Sequence, residues 1–330
     1  MDAFGLKRGI IRIFEETVGK HDDPAIFGGA PGDPGLIGPD SLSWELHSDI
    51  GSIAAAGLAA IIMEILHPSV MAGVYTQSSY RTQTFRRAQA TFGYVVTTTF
   101  GNTVAATRTI DRVRRMHEQV SGTTPDGRPY RAMDPLLIGW VHTAIPWAIM
   151  EAFDRYRRPM SVAEKNRYLA EQAVIGRMGG AGNIPVTVDQ LRDYIEAMRP
   201  QLAVNEQTVE FLDFLTGSVE GAGKVNAFEQ LVRRLSLHAS MRLMPEWAQR
   251  LTGLYHSDLA QQLYFEPTTR LNAALLRWAF GVPAYRALAD ARVAARPPAQ
   301  RAAHAEPKRS RPAGVRTKHR TPSTGAHVIH

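Results

Sequence analysis

The 330-residue chain contains no cysteine. This absence excludes disulfides, thiolate nucleophiles, zinc ribbons, iron–sulfur clusters and covalently attached c-type haem together. The sequence also lacks a Gly-x-Ser-x-Gly elbow, a Walker loop, a Rossmann glycine pattern and a zincin helix. Any metal or cofactor must therefore be held through nitrogen or oxygen atoms, outside these common catalytic frameworks.

Long hydrophobic runs are missing as well. The most apolar stretch without a formal charge, residues 50–63, falls short of the ~20 residues that a membrane-spanning helix needs, so we expect a buried core helix. Near the start, Lys7 and Arg8 are followed by Glu15 and Glu16 instead of the apolar core of a secretion signal. We therefore expect no transmembrane segment and a cytoplasmic location.

The net charge of +7 comes from one end of the chain. Residues 291–330 hold nine Lys or Arg and one Glu, so the first 290 residues carry a net charge of −1. This tail is rich in Pro, Ala, Arg and His and has no apolar periodicity, which predicts disorder and a solubilising role. The balanced body offers no basic recognition helix, and we expect no specific nucleic-acid partner.

Apolar residues recur with helical spacing along most of the chain after residue 44. The predicted helices lie near residues 1–20, 45–67, 69–77, 84–100, 103–121, 134–157, 161–178, 187–198, 205–216, 225–240, 245–253, 257–264 and 268–289. The β-branched stretch at 95–101 could instead form a short strand. The pattern predicts one all-α domain over 35–290, preceded by a helix and a wrapping loop at 1–34 and followed by the tail at 291–330.

Two helix starts have capping chemistry. Ser161 is followed three residues later by Glu164, and Thr187 by Gln190, and such pairs satisfy free backbone amides at a helix N-terminus. His67 precedes Pro68 at a predicted helix end, where we expect it to interact with the terminal carbonyls.

Two histidines fall on the apolar faces of consecutive predicted helices. His117 shares its face with Ile110 and Val113, and His142 shares one with Ile138 and Ile145. An inward imidazole needs a hydrogen-bond partner or a metal, because burying it unpaired costs about 1–3 kcal/mol. The pattern leaves three interpretations open: satisfied core histidines, a haem ligand at His117, or a haem ligand at His142.

Arg87 and Thr91 form a polar stripe on a largely apolar helix. They are four residues apart, so both side chains project from the same face, and Tyr94 and Thr98 continue it. A carboxylate, a bound oxygen species or a backbone carbonyl would each satisfy such a stripe.

Several motifs occur together and in one order. They are GDPGLIGPDSLSWELHSD at 32–49, LHPSVMAGV at 66–74, Gln77-Ser78, Arg87 with Thr91, Phe100-Gly101, VRRMHEQVSG at 113–122, DGRPYRAMDP at 126–135, WVH at 140–142 and MPEWAQRLTGL at 244–254. Over about residues 35–255 the chain resembles the catalytic domain of rubber oxygenases (latex-clearing proteins), a family that includes the fungal endoplasmic-reticulum oxygenase of mycophenolic acid biosynthesis.

The resemblance implies a globin-like multi-helix bundle around a non-covalent haem b, an iron enzyme that uses O2 on a carbon–carbon double bond of a small apolar, isoprenoid- or lipid-like substrate. Residue by residue, His117 resembles the family's proximal iron ligand, and His142 resembles a histidine that supports the haem pocket. Arg87 and Thr91 resemble the family's haem-side polar pair, for which we expect catalytic and cofactor contacts. The implied activity is that of a haem-dependent oxidoreductase.

The chain departs from the rubber enzymes at two points. Ala90 precedes Thr91 where those enzymes carry a lysine able to occupy the distal iron site, and their pocket carboxylate has no clear counterpart except Glu64. We therefore do not expect rubber as the substrate. The alternative function is a non-enzymatic all-α carrier or sensor for an apolar ligand, in which the histidines are structural.

Overall fold

The computed structural model describes residues 3–77, 80–215, 237 and 240–295. Within these residues the fold is helical apart from one two-stranded sheet, which confirms the predicted all-α class. The first helices are α1 (Ala3–Val18), α2 (Pro24–Phe27), α3 (Leu42–Ser48), α4 (Ile50–Ile65), α5 (Pro68–Gln77), α6 (Tyr80–Phe100) and α7 (Thr103–Glu118). An antiparallel hairpin of β1 (Ser121–Thr123) and β2 (Pro129–Arg131) then pairs Ser121 with Arg131.

The remaining elements complete the bundle. They are α8 (Pro135–Tyr156), α9 (Val162–Gly179), α10 (Val188–Met198), a 3₁₀ turn (Arg199–Gln201), α11 (Glu206–Leu215), α12 (Glu246–Leu251), α13 (Asp258–Ala260), a π-helical turn (Gln261–Phe265), α14 (Glu266–Phe280) and α15 (Ala284–Ala294). At α9 the predicted capping pair is confirmed, because Ser161 Oγ accepts from Glu164 N and the Glu164 carboxylate accepts from Ser161 N.

The core lies between α4 and α8, which pack against each other more extensively than any other described pair of helices. Trp140 of α8 is fully buried, and its indole Nε1 donates to the Glu64 carbonyl of α4 at 3.2 Å. On the other side of α4, a Cβ on Gly51 would come within 2.6 Å of the Ala273 carbonyl oxygen. Glycine at position 51 therefore allows α14 to approach the backbone of α4 closely.

α8 is also the one described unbroken helix that is long and apolar enough to cross a membrane by length and composition, and most of it is buried inside the bundle. The expected absence of a transmembrane segment stays a prediction.

One buried arginine joins α15 to α2, to the loop that follows α2, and to α6. Arg292 of α15 donates from Nη1 to the carbonyl oxygens of Phe27 (2.6 Å) and Phe100 (2.9 Å), and from Nε to that of Asp33 (2.8 Å). The sequence pattern assigned this residue to the disordered tail. That boundary is wrong for residues 291–294, which are helical and carry this buried anchor. Residues 296–330 lie outside the described residues, as does most of the predicted helix at 225–240.

Three other expectations differ from the structure. The predicted helix at 45–67 is divided at Asp49, whose carboxylate caps α4 and pairs with Arg277 at 2.6 Å. The predicted helix at 268–289 is interrupted at Gly281, which has a φ of 58°, a backbone angle that favours glycine. The strand alternative at 95–101 is wrong, because this stretch belongs to α6.

Candidate functional site

Four helices bring the residues singled out by the sequence to one region of the bundle. Arg87 and Thr91 lie on α6, His117 on α7, His142 on α8, and Glu64 on α4. The charge of Arg87 acts on both Glu64 and His117, and His117 acts in turn on His142. The predicted site residues, which are far apart in the chain, therefore lie near one another in the structure.

Arg87 is exposed to solvent, although protein surrounds much of its side chain. Its side chain is exposed to solvent, yet surrounding protein lowers its pKa through desolvation, an effect that the carboxylate of Glu64 opposes. These two observations are compatible when the guanidinium lines a cleft that water can enter. No carboxylate of the described residues lies within ion-pair distance of it.

His142 lies on α8, near His117. It is half-buried, and desolvation followed by the nearby His117 lowers its pKa to about 4, so the imidazole is neutral at physiological pH. The ring of Tyr94 meets it edge-on at a centroid distance of 5.9 Å. On its other side, a Cβ on Gly179 would lie 2.9 Å from His142 Nε2 and a Cβ on Gly176 would lie 3.1 Å from His142 Cβ. Two small residues on α9 thus leave room for this ring.

His117 is held by an α7 whose start is firmly anchored. Asn102 caps the helix by accepting from Ala105 N at 2.8 Å, and its amide donates to the carbonyl oxygen of Ile26 at 2.9 Å. His117 itself is half-buried in the last turn, and burial followed by the charge of Arg87 lowers its pKa. It is therefore predominantly neutral at pH 7, the form in which an imidazole ligates a metal.

The fully buried His47 shows what a structural histidine looks like in this fold. Its Nδ1 lies 2.7 Å from Thr99 Oγ1 and its Nε2 lies 2.9 Å from Tyr168 OH, so both ring nitrogens are satisfied. Burial lowers its pKa to about 3. The ring nitrogens of His117 and His142, by contrast, have no hydrogen-bond partner among the residues that the structure describes.

Glu64 is the charged residue that sequence reasoning considered without assigning it to the site. Its side chain is 8% exposed, and Oε1 has no hydrogen-bond partner within the described part of the chain. Desolvation, opposed by Arg87, raises its pKa to about 8, so the carboxyl group is largely protonated at neutral pH. The sequence feature that could have assigned Glu64 to the site is a lone carboxylate near the end of an apolar helix.

The sequence analysis did not identify Gly176 and Gly179, because two glycines on a helix indicate no site until the side chain packed against them is known.

The expected contact of His67 with helix-terminal carbonyls is wrong, since its Nδ1 accepts from Ser69 N at 3.2 Å and Nε2 has no partner among the described residues.

The site differs from a classical metal centre. No group of three or more His, Asp or Glu side chains in the described ranges could hold a metal ion by itself. A haem iron takes four nitrogens from the porphyrin and needs only one imidazole from the protein. Two unpaired neutral histidines and an unpaired guanidinium in one region of the bundle fit such a group.

The chain matches a known protein family. The family model described as "ER-bound oxygenase mpaB/B'/Rubber oxygenase, catalytic domain" matches residues 44–278, which is well over half of the chain. The chain belongs to this family. The match begins at α3 and ends within α14, so it contains every helix that contributes to the site. No curated protein and no solved structure matches. The family assigns an oxygenase-like function, which agrees with an apolar substrate and O2 as reaction partners.

Proposed function

We propose that the protein is a haem b-dependent oxygenase that acts with O2 on an apolar, isoprenoid- or lipid-like substrate, and that His117 is the residue that would hold the iron. The observation that carries the proposal is the convergence of unpaired His117, His142 and Arg87 in one region of the bundle, in a chain of an oxygenase family. The two histidines have lost hydration without gaining a protein partner, and a bound cofactor would compensate for that loss.

Each residue has a separate role in this proposal. His117 holds the iron through a neutral imidazole, and His142 shapes the pocket from α8 with its ring fixed between Tyr94 and α9. Arg87 pairs with an anionic group of the cofactor or polarises an oxygen atom, and half-buried Thr91 stands one turn further along the same face. When bound, haem supplies the iron at which O2 is activated.

Glu64 contributes a proton in a dry environment. With its pKa raised to about 8, Glu64 carries a proton at neutral pH and can donate a hydrogen bond from its carboxyl group into the cleft. Arg87 stabilises the carboxylate that remains after proton loss, because its charge lowers the pKa of Glu64. The proposal keeps the cytoplasmic location that the sequence predicts.

The experiment that tests this proposal is an absorption spectrum of the protein expressed with an adequate haem supply, recorded with and without dithionite and CO. We expect a Soret band in the wild type and in His142→Ala, and loss of the band in His117→Ala. The two variants are matched controls for each other, since both remove an inward imidazole from consecutive helices.

Two outcomes would contradict the assignment. Full haem retention in His117→Ala together with loss in His142→Ala would make His142 the ligand. A wild type that stays colourless after reconstitution with hemin would favour the carrier or sensor of an apolar ligand, with the same cleft as its binding site.

A further inference from the structure

Tyr94 extends the polar face of α6 beyond Thr91. It follows Thr91 by three residues and Arg87 by seven, so the three side chains project from one face of the helix over a length of about 10 Å. The ring of Tyr94 meets the imidazole of His142 with the two ring planes at 66°. Tyr94 therefore connects the α6 residues of the site with the histidine on α8.

The phenol of Tyr94 has no hydrogen-bond partner among the residues that the structure describes. The residue is half-buried, and burial alone raises the pKa of its hydroxyl well above the ordinary value. The hydroxyl therefore keeps its proton throughout the physiological pH range and can donate a hydrogen bond at any pH within it. Surrounding protein has displaced much of the water around the phenol without supplying a polar group in its place.

Other buried tyrosines have polar protein neighbours. The hydroxyl of Tyr168 lies 2.9 Å from Nε2 of His47. The hydroxyls of Tyr156 and Tyr194 form no hydrogen bond within the described ranges, but a threonine side chain near each of them opposes the rise of the phenol pKa. No such neighbour acts on Tyr94. Its donor is therefore left for a group that is not part of the chain.

The hydroxyls of α6 differ in how they are satisfied. Thr98 and Thr99 donate to the carbonyl oxygens of Tyr94 and Val95 at 2.9 Å and 2.8 Å, so the helix itself accepts these bonds. The hydroxyl of Thr91, by contrast, has no partner in the described part of the chain. Tyr94 cannot form such a local bond, because its rigid ring holds the hydroxyl away from the backbone of its own helix. Two unpaired donors thus lie one turn apart on the face of α6 that carries Arg87.

We propose that Tyr94 is a further ligand-contacting residue of the site, and that its phenol donates a hydrogen bond to an oxygen atom of the bound ligand. That oxygen belongs either to a carbonyl group of an otherwise apolar substrate or to a diatomic ligand of the haem iron, and both are acceptors. The second source rests on the proposed haem chemistry, whereas the first requires only that an apolar ligand binds at this site. A pure hydrocarbon would leave the phenol without an acceptor.

The ring of Tyr94 has a role that is separate from that of the hydroxyl. It packs against one side of His142, and the glycines of α9 leave room on the other side. Tyr94→Phe removes the hydroxyl and keeps this ring contact, whereas Tyr94→Leu removes both. In NMR spectra we expect the side-chain protons of His142 to keep their ring-current shift in Tyr94→Phe and to lose it in Tyr94→Leu.

The first arm of the test measures ligand binding to the full chain by isothermal titration calorimetry. The probes are geranylacetone, which is an isoprenoid ketone, and its methylene analogue, in which C=CH2 replaces C=O. We expect the wild type to bind the ketone at least about fivefold more tightly, because only the ketone accepts a hydrogen bond. Tyr94→Phe should lose most of this preference and should bind the methylene analogue as the wild type does.

The second arm uses the protein reconstituted with hemin, reduced and exposed to CO. A hydrogen-bond donor near the CO oxygen weakens the C–O bond, so removal of the donor in Tyr94→Phe should shift the infrared CO stretching band to higher frequency. The matched control for both arms is Tyr264→Phe, which removes a phenol from a residue that is 53% exposed. It should behave as the wild type does, and circular dichroism verifies that all variants are folded.

The outcomes of the two arms assign the oxygen atom. Loss of the ketone preference alone assigns it to the substrate, and a shift of the CO band alone assigns it to the ligand of the iron. A wild type that does not load hemin would contradict the proposed haem chemistry, and the ketone arm would then decide the role of Tyr94 by itself. Equal behaviour of Tyr94→Phe and Tyr264→Phe in every arm that can be measured would overturn the inference.

Discussion

At Gly179, the absence of a side chain leaves the space that the imidazole of His142 occupies. A helix-interior alanine usually stabilises a protein relative to glycine by about 0.5–1 kcal/mol, because glycine loses more backbone entropy on folding. Here an added Cβ would lie 2.9 Å from His142 Nε2, closer than carbon and nitrogen tolerate. Local sterics therefore reverse the usual effect.

We expect Gly179→Ala to lower the free energy of unfolding by about 1 kcal/mol or more, since overpacking costs about 1–3 kcal/mol. It should also displace the His142 ring and change its titration. The matched control is Gly57→Ala on α4, where nothing lies within 4 Å of the new Cβ and a small stabilisation is expected. Urea unfolding and the NMR titration of His142 measure both effects. Equal stability changes in the two variants would show that the close approach does not constrain the ring.

At the scale of elements, helices with strong periodicity and caps were predictable from the sequence. The start of α9 is an example, because Ser161 and Glu164 are adjacent in the chain and satisfy each other locally. The division at Asp49 was not predictable, because it depends on Arg277, which lies 228 residues away in the chain. A prediction from local sequence patterns does not include a partner that is so distant in the chain.

The stretch at 95–101 is helical despite its β-propensity, because its threonine hydroxyls form hydrogen bonds within the helix. Its threonines favour strands in general, yet in α6 the hydroxyls of Thr98 and Thr99 donate to the carbonyl oxygens of Tyr94 and Val95 one turn back. These bonds satisfy the buried hydroxyls within the helix. The hairpin at 121–131 was missed because its three-residue strands are too short for alternation, although Asp126-Gly127 is a turn signal.

The site was predictable only where it depends on local spacing in the chain. The inward positions of His117 and His142 follow from helical spacing, whereas the glycines that make room for His142 and the nearness of Glu64 to Arg87 depend on the packing of helices far apart in the chain.

The attachment of α15 gives a prediction for one residue. Arg292→Ala should lower the free energy of unfolding by about 3 kcal/mol or more, because it leaves three carbonyl oxygens near the α2–α6 junction without their donor. The control is Arg192→Ala, which breaks only exposed ion pairs and should change stability by less than about 1 kcal/mol. Urea unfolding compares them. A loss no greater than the control's would mean that water replaces the guanidinium at no cost.

For the whole molecule, the buried titratable groups predict a stability maximum. His47 and His142, with pKa values lowered to about 3 and 4, stay neutral in the folded state, so stability is lost as pH falls below the ordinary histidine pKa of about 6.5. Glu64, with its pKa raised to about 8, keeps its proton when folded, so stability is lost as pH rises from about 4.5 to 8.

The two effects together predict a peak in the free energy of unfolding near pH 6.5. Between pH 6.5 and 8 we expect a fall of about 1 kcal/mol, because the loss from Glu64, ~1.4 kcal/mol per pH unit, is partly offset by the two histidines. Glu64→Gln should remove this fall, whereas Glu196→Gln, which changes an exposed carboxylate, should keep it. Urea titrations at several pH values give the profile. A fall that persists in Glu64→Gln would assign it to another group.

The bonds of Arg292 also bear on how the chain is made. Its acceptors, Phe27 and Phe100, lie 265 and 192 residues earlier. During synthesis the N-terminal loop must wait for the last helix before it can be fixed, and contacts of such long sequence separation form slowly. The α4–α8 pair can assemble long before, so the nascent protein acquires its core first and fixes its N-terminal loop only after α15 has been synthesised.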